Sequence, residues 1–225
     1  MAVLEAPRAL LSALELPRTM LELGSLVASS PYLQLVERGD GHPVIVLPGF
    51  TASDESTRVL RQYLRSIGYD ARPWNLGRNL GLREAGAFDA LQKEVSRTVD
   101  DTGKRVSLVG WSLGGVHARN VAKRAPHQVR QVITLGSPLG GSPRADVPST
   151  AIYSRTDGIV TWRAAMEEPG PLTDNIEVYG SHCGLGFNPA VYYAISDRLA
   201  QLEGAFEPFN RAGWRAAIFG PARPH

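Results

Sequence analysis

The apolar positions of this chain follow two regimes. Up to about residue 30 they recur at helical spacing: Leu10, Leu11, Leu14, Met20, Leu21, Leu23 and Leu26 suit two short amphipathic helices opened by Pro7 and Pro17, since a proline is well placed in a first helical turn. These helices are expected to pack on the main body. From Pro43 the pattern changes to short unbroken apolar runs alternating with longer periodic stretches. "PVIVLPG" closes on a Pro-Gly turn, as suits a strand buried on both faces. "SDESTRVLRQYLRSIG" has capping residues at its start, apolar positions at Val59, Leu60, Tyr63, Leu64 and Ile67, and a closing Gly68, which predicts a helix. "YDARPWN", "RVSLVG", "QVITLGSP", "TAIYSRTDGIV" and "NIEVYGSH" read as further strands; "REAGAFDALQKEVSRTVDDTG", "GVHARNVAKRA" and "NPAVYYAISDRLAQ" read as helices. Such alternation predicts an α/β fold with a mostly parallel central sheet flanked by helices.

At 225 residues the chain fills one core without requiring a second. One domain over 1–225 is expected, with a helical extension at 1–30 and a tail at 203–225 whose Phe206, Phe209, Trp214 and Phe219 dock on the body before the end frays.

Lys plus Arg number 24 against 22 Asp plus Glu, and a formal charge of +2 is too small for a surface that tracks phosphates. Nucleic acid is not an expected partner. The single cysteine, Cys183, rules out an intrachain disulfide and cysteine-pair metal spacings, and suits a reducing, cytoplasmic setting. Glu5, Arg8, Glu15, Arg18 and Glu22 interrupt the leucine-rich start, so neither a secretion signal nor a membrane span is expected. The same mixed charge weakens an interfacial role for these helices. Weak contact with a membrane surface, or an oligomer contact, stays open, and the sequence does not set the oligomeric state.

Chemistry concentrates at "VSLVGWSLGGVHARNVAKRA". "GWSLG" is Gly-x-Ser-x-Gly between a strand and a helix, where Ser112 occupies a sharp turn and Gly110 and Gly114 let neighbouring backbone come close. Here the chain resembles the α/β-hydrolase fold, specifically its bacterial-type lipase and esterase branch without a large lid domain, over roughly Pro43 to Gln201. A serine hydroxyl needs a base, and the base needs an orienting carboxylate. The resemblance implies that acid and histidine follow the serine in that order, each after a strand. Asp157 and His182 stand there. Asp146, in a Pro-rich loop, and Asp174, preceding its strand, are the alternative acids. His117 on the nucleophile's own helix, His127, His42 and the terminal His225 are the other histidines.

The resemblance also implies an oxyanion hole from the backbone amides of Leu113 and, in "LPGFTAS", of Phe50, whose ring could equally wall the pocket. Pro48 stands where the familiar loop has histidine. No metal or organic cofactor is implied. "QVITLGSPLGGSPRADVPSTAIYSRTDG" leaves no room for a cap domain between its two strands, so the site is expected to be open, rimmed by "PWNLGRNLGLREAG", "GSPLGGSPRADVP" and "GIVTWRAAMEEPG". Trp111, Leu113, Leu139, Ile159, Val160, Trp162 and Leu185 are candidate acyl-pocket residues, though each also suits core packing. Arg78 either meets a polar head group or is solvated, and Cys183 either sensitises activity to thiol reagents or is a small buried residue.

The expected function is a serine hydrolase cleaving carboxylic esters of small molecules or lipids through an acyl-enzyme. Thioesterase, acyltransferase, amidase or perhydrolase chemistry on the same triad is the alternative, because a fold and a triad do not fix the leaving group. Arg72, Arg78 and Arg83 offer a weak basic entrance for a CoA thioester. The serine, acid and histidine in order argue against a non-catalytic binding scaffold.

Overall fold

The runs expected as strands form β1 (Pro43–Leu47), β2 (Asp70–Pro73), β3 (Val106–Trp111), β4 (Val129–Leu135), β5 (Ser149–Tyr153) and β6 (Thr173–Glu177) in a computed structural model that describes residues 9–81, 86–140 and 146–221. All five pairings are parallel, in the order β2-β1-β3-β4-β5-β6. The order reverses between β1 and β3. In an open parallel sheet the crevice beyond the carboxyl ends of the strands at such a switch point is where a site forms.

Alternate residues of the central strands feed opposite faces. Val44 and Val46 face α2 (Glu15–Leu33), α3 (Arg58–Ser66) and α6 (Pro189–Ala200) through Leu26, Leu64 and Ile195; Ile45 and Leu47 face α4 (Ala87–Thr102) and α5 (Leu113–Arg124) through Leu91 and Val121. Helices on both sides explain why β1 is an unbroken apolar run and β4 is buried along its whole length. Only residues 136–148 separate β4 from β5, which is too short a connection for a cap domain. Among the described residues no helix is long and apolar enough to cross a membrane.

The first thirty residues depart from expectation twice. Instead of two short helices there is a five-residue α1 (Ala9–Ala13) followed by the 19-residue α2, which continues past residue 30 to Leu33. Pro17 falls in the first turn of α2, where the missing N–H is not needed; Pro7 lies outside the described residues. The amphipathicity is also inverted through the first half of α2, while Leu26 and Leu33 farther along it join the core. Leu10, Leu14, Met20 and Leu21 are exposed, and of the leucines counted as an apolar stripe only Leu26 is buried.

At the other end Phe209 and Phe219 are buried and meet edge to face, ring centroids 4.7 Å apart, with Tyr193 of α6 beside them. Trp214 stays exposed, although its ring meets Tyr193 at 5.0 Å just before α7 (Arg215–Ile218). Asp174 lies inside β6 rather than ahead of it. It anchors this segment through the Phe209 amide at 2.6 Å and Arg211 at 3.2 Å.

Candidate active site

Ser112 links β3 directly to α5 with φ 52° and ψ −122°, a backbone conformation that L-residues avoid. The surroundings enforce it. A side chain at Gly110 would run into the backbone of Gly115, and one at Gly114 would lie 2.5 Å from the Leu47 carbonyl oxygen, so α5 is pressed onto the end of β1. The Ser112 amide donates to the Leu135 carbonyl at 2.8 Å. This ties the serine to the end of β4, at the carboxyl end of the sheet beside the switch point.

Asp157 follows β5 and His182 follows β6; both are buried, and His182 Nδ1 meets Asp157 Oδ2 at 2.7 Å. The other carboxylate oxygen, Oδ1, accepts from the amides of Ile159 at 2.8 Å and Val160 at 2.7 Å, which fixes the carboxylate plane. With Nδ1 engaged, Nε2 is the ring nitrogen left to act as a base. Two contacts tie this pair to the segments that flank and hold the serine turn. The indole Nε1 of Trp111, the residue before Ser112, donates to the His182 carbonyl at 3.1 Å. Gly136, next to the residue that holds the Ser112 amide, has φ +55°, and a methyl group there would lie 3.0 Å from Asp157 Oδ2 and 3.2 Å from His182 Nδ1.

The β1 loop comes up on the other side, and a Cβ on Gly49 would lie 3.5 Å from Ser112 Cβ. Among the described residues the Phe50 amide has no backbone partner, and the Leu113 amide opens α5, where no intrahelical acceptor exists. This loop is braced from below by Asn79. Its side chain donates to the Pro48 carbonyl at 2.8 Å and accepts from His117 Nε2 at 3.1 Å, while its backbone exchanges bonds with Thr51 at 2.7 Å and Ala52 at 2.8 Å. His117 therefore turns away from the reaction centre. Burial without a charged partner lowers its pKa to about 4, so it is neutral at physiological pH.

Of the other candidate acids and bases, Asp146 and His127 are exposed, His42 is buried between Asp40 and Ser107 remote from the serine, and His225 lies outside the described residues. Ile159 and the Phe50 ring are exposed, and Trp111, Leu113 and Trp162 are partly so. Leu139, Val160 and Leu185 are buried, Val160 among Tyr153, Ala165 and Met166. Arg72 is paired with Asp70 at 2.7 Å on the edge strand. Arg78 reaches the Thr51 carbonyl at 3.1 Å, and Arg83 lies outside the described residues, as do 82–85 and 141–145 of the expected rim. Burial and the nearby Glu15 carboxylate push the Cys183 thiol up to about 11, which keeps it protonated.

Several participants carry no local sequence signal. Asn79 stands with Arg78 in a glycine-flanked loop expected to reach the site entrance, with no role of its own, and Glu15 and Glu22 belong to α2, far away along the chain. Glu15 accepts from the amides of Gly158, His182 and Cys183; Glu22 accepts from the amide and hydroxyl of Ser181.

Comparison with known proteins agrees with this fold. A family model described as palmitoyl protein thioesterase matches residues 43–200, which hold every strand, the serine, the acid and the histidine. A triacylglycerol lipase of Pseudarthrobacter phenanthrenivorans is 30% identical over 126 residues, covering 52% of this chain and 40% of the lipase. One from Burkholderia plantarii matches at the same identity over 35% of its length. The chain thus spans less than half of the lipases it matches. The crystal structure of Aspergillus fumigatus lipase B superposes with a TM-score of 0.63 at 18% identity, covering 72% of this chain and 53% of that one, which shows a shared fold.

Proposed function

Because the chain belongs to the palmitoyl protein thioesterase family, within the α/β-hydrolase superfamily, we propose that it is a serine hydrolase that cleaves carboxylic esters through an acyl-enzyme. The observation that carries this reading is the buried Asp157–His182 pair at 2.7 Å, set beside a serine held in a strained turn. Ser112 Oγ attacks the acyl carbonyl as His182 Nε2 takes its proton. Asp157 holds the ring and stabilises the imidazolium. The amides of Phe50 and Leu113 receive the oxyanion, and His182 returns the proton to the leaving alcohol. Water then repeats the sequence to release the acid. The exposed Phe50 and Ile159 supply an apolar surface for the acyl chain, with Trp111, Leu139, Val160 and Leu185 behind it.

The family match favours a second leaving group, the thiolate of an acyl thioester. The same atoms serve both, since a thiolate leaves with less protonation than an alkoxide. The uncharged outer face of α1 and α2, with Leu10, Leu16, Met20 and Leu21 exposed, supports weak contact with a lipid surface where such substrates reside.

Hydrolysis of p-nitrophenyl esters and of acyl thioesters by wild type and Ser112→Ala, side by side, tests the proposal. Wild-type turnover should fall by roughly 10³-fold or more in the variant. A greater kcat/KM on thioesters of matched chain length would select the second reading. Equal rates in both proteins would remove Ser112 from the mechanism.

A further inference from the structure

Residues 9–36 carry three charged side chains, Glu15, Arg18 and Glu22, and all three turn inward onto the two loops that hold Asp157 and His182. Arg18 donates to the Thr156 carbonyl at 2.7 Å and to the Thr156 hydroxyl at 2.8 Å, one residue before Asp157. Glu22 accepts from the Ser181 amide at 2.6 Å and hydroxyl at 2.7 Å, one residue before His182. Glu15 is the residue that joins the loops. Its Oε1 accepts from the Gly158 amide at 2.8 Å and from the His182 amide itself at 3.0 Å, while Oε2 accepts from the Cys183 amide at 2.9 Å.

A carboxylate only 5% exposed loses its hydration, and three backbone donors replace it. Both loops are shaped to receive α1 and α2. A side chain at Gly158 would strike the backbone carbonyl of Leu11 at 2.6 Å, and the space beside Gly184 is filled by the Glu22 carboxylate. Ser12 adds a hydrogen bond from its hydroxyl to the Gly158 carbonyl.

We propose that Glu15 is a positioning residue for the catalytic pair: its carboxylate clamps the backbone of the acid loop to that of the base loop, so that His182 is held at working distance from both Asp157 and Ser112. The inference rests on the triad reading above. It makes α1 and α2 part of the catalytic framework, although they lie outside the family match, which begins at residue 43. Backbone clamping matters because a displacement of about 1 Å at a reacting group can cost roughly 10²-fold in rate.

The test compares Glu15→Ala, Glu15→Gln and Leu26→Ala, the last a core truncation on the same helix. kcat and KM are measured below each variant's melting temperature and normalised to sites titrated with a fluorophosphonate. Glu15→Ala should lower kcat per titrated site by about 10- to 10²-fold with KM near the wild-type value. Glu15→Gln should recover part of the loss, because its amide oxygen can still accept from Gly158 and His182. Leu26→Ala should lower the melting temperature yet keep kcat per site. If Glu15→Ala does not fold, a kcat loss in Glu15→Gln at unchanged KM carries the same weight. Wild-type kcat per site in the Glu15 variants, or a loss matched by Leu26→Ala, would overturn the inference. Failure of the triad reading looks different: the wild-type protein itself would take no fluorophosphonate at Ser112.

Discussion

Gly136 shows how one residue without a side chain governs the candidate site. It has φ +55°, and the space where a Cβ would stand is already occupied by Leu185, Asp157 and His182. Alanine there would combine left-handed strain with a collision against the acid and base, and the pair would have to part. Gly136→Ala should therefore cost about 1–3 kcal/mol of stability from backbone strain and remove most ester hydrolysis, checked by thermal melting alongside steady-state kinetics. A variant that melts lower but keeps full turnover would show that the corner tolerates a methyl group. Ser112 was marked by its glycine spacing, whereas Gly136 was one of many glycines in a Gly-rich loop. Its importance comes from two strands that the chain reaches later, β5 and β6.

At the level of elements, α2 reverses the usual arrangement. Its leucine spacing reads as a core-facing stripe, yet the helix buries Glu15 and points Leu16, Met20, Leu21 and Val27 at solvent. Two loops whose amides at Gly158, Ser181, His182 and Cys183 take their acceptors from this helix lie beneath it. Leaving such donors buried and unsatisfied costs about 1–3 kcal/mol each, comparable to the roughly 1.5–3 kcal/mol gained by burying one large apolar side chain. With Gly158 and several adjacent amides to satisfy, the carboxylate face wins. β1 has no such competing demand and is apolar and buried at every position, whereas the edge strands β2 and β6 are half-buried at Asp70, Arg72, Thr173 and Asn175. Met20→Glu tests the inversion: it should change stability by less than about 0.5 kcal/mol, as an exposed substitution does, in a denaturant titration. The same variant should lose whatever affinity the wild type shows for neutral liposomes in flotation while keeping its rate on a soluble ester.

Across the whole molecule, burial of histidine makes stability depend on pH. His117 has a folded pKa of about 4, below the ordinary value of 6.5, because burial disfavours its charged form. Between those values the unfolded chain binds the extra proton, so stability falls as pH drops from about 6.5 toward 4. His42 shifts in the same direction from burial. Urea unfolding at pH 7 and pH 5 should show lower stability at the acid pH, and His117→Gln should flatten that difference, since glutamine can still donate to Asn79 without titrating. An unchanged slope in the variant would mean that His117 is hydrated in solution.

The sequence alone determined the alternation of strands and helices, the parallel sheet, the absence of a cap between β4 and β5, and the order of serine, acid and histidine. All of these follow from patterns that are local or strictly ordered along the chain: apolar runs, capping residues, and a Gly-x-Ser-x-Gly turn that must sit between a strand and a helix. Tertiary structure decided the rest. It chose which face of α2 turns inward, set Asn79 and His117 beneath the loop that carries Phe50, and joined Glu15 to amides at positions 158, 182 and 183. Those choices balance the hydrogen-bond demand of one segment against the side chains of another between 31 and 168 residues away, and no period within either segment records that balance.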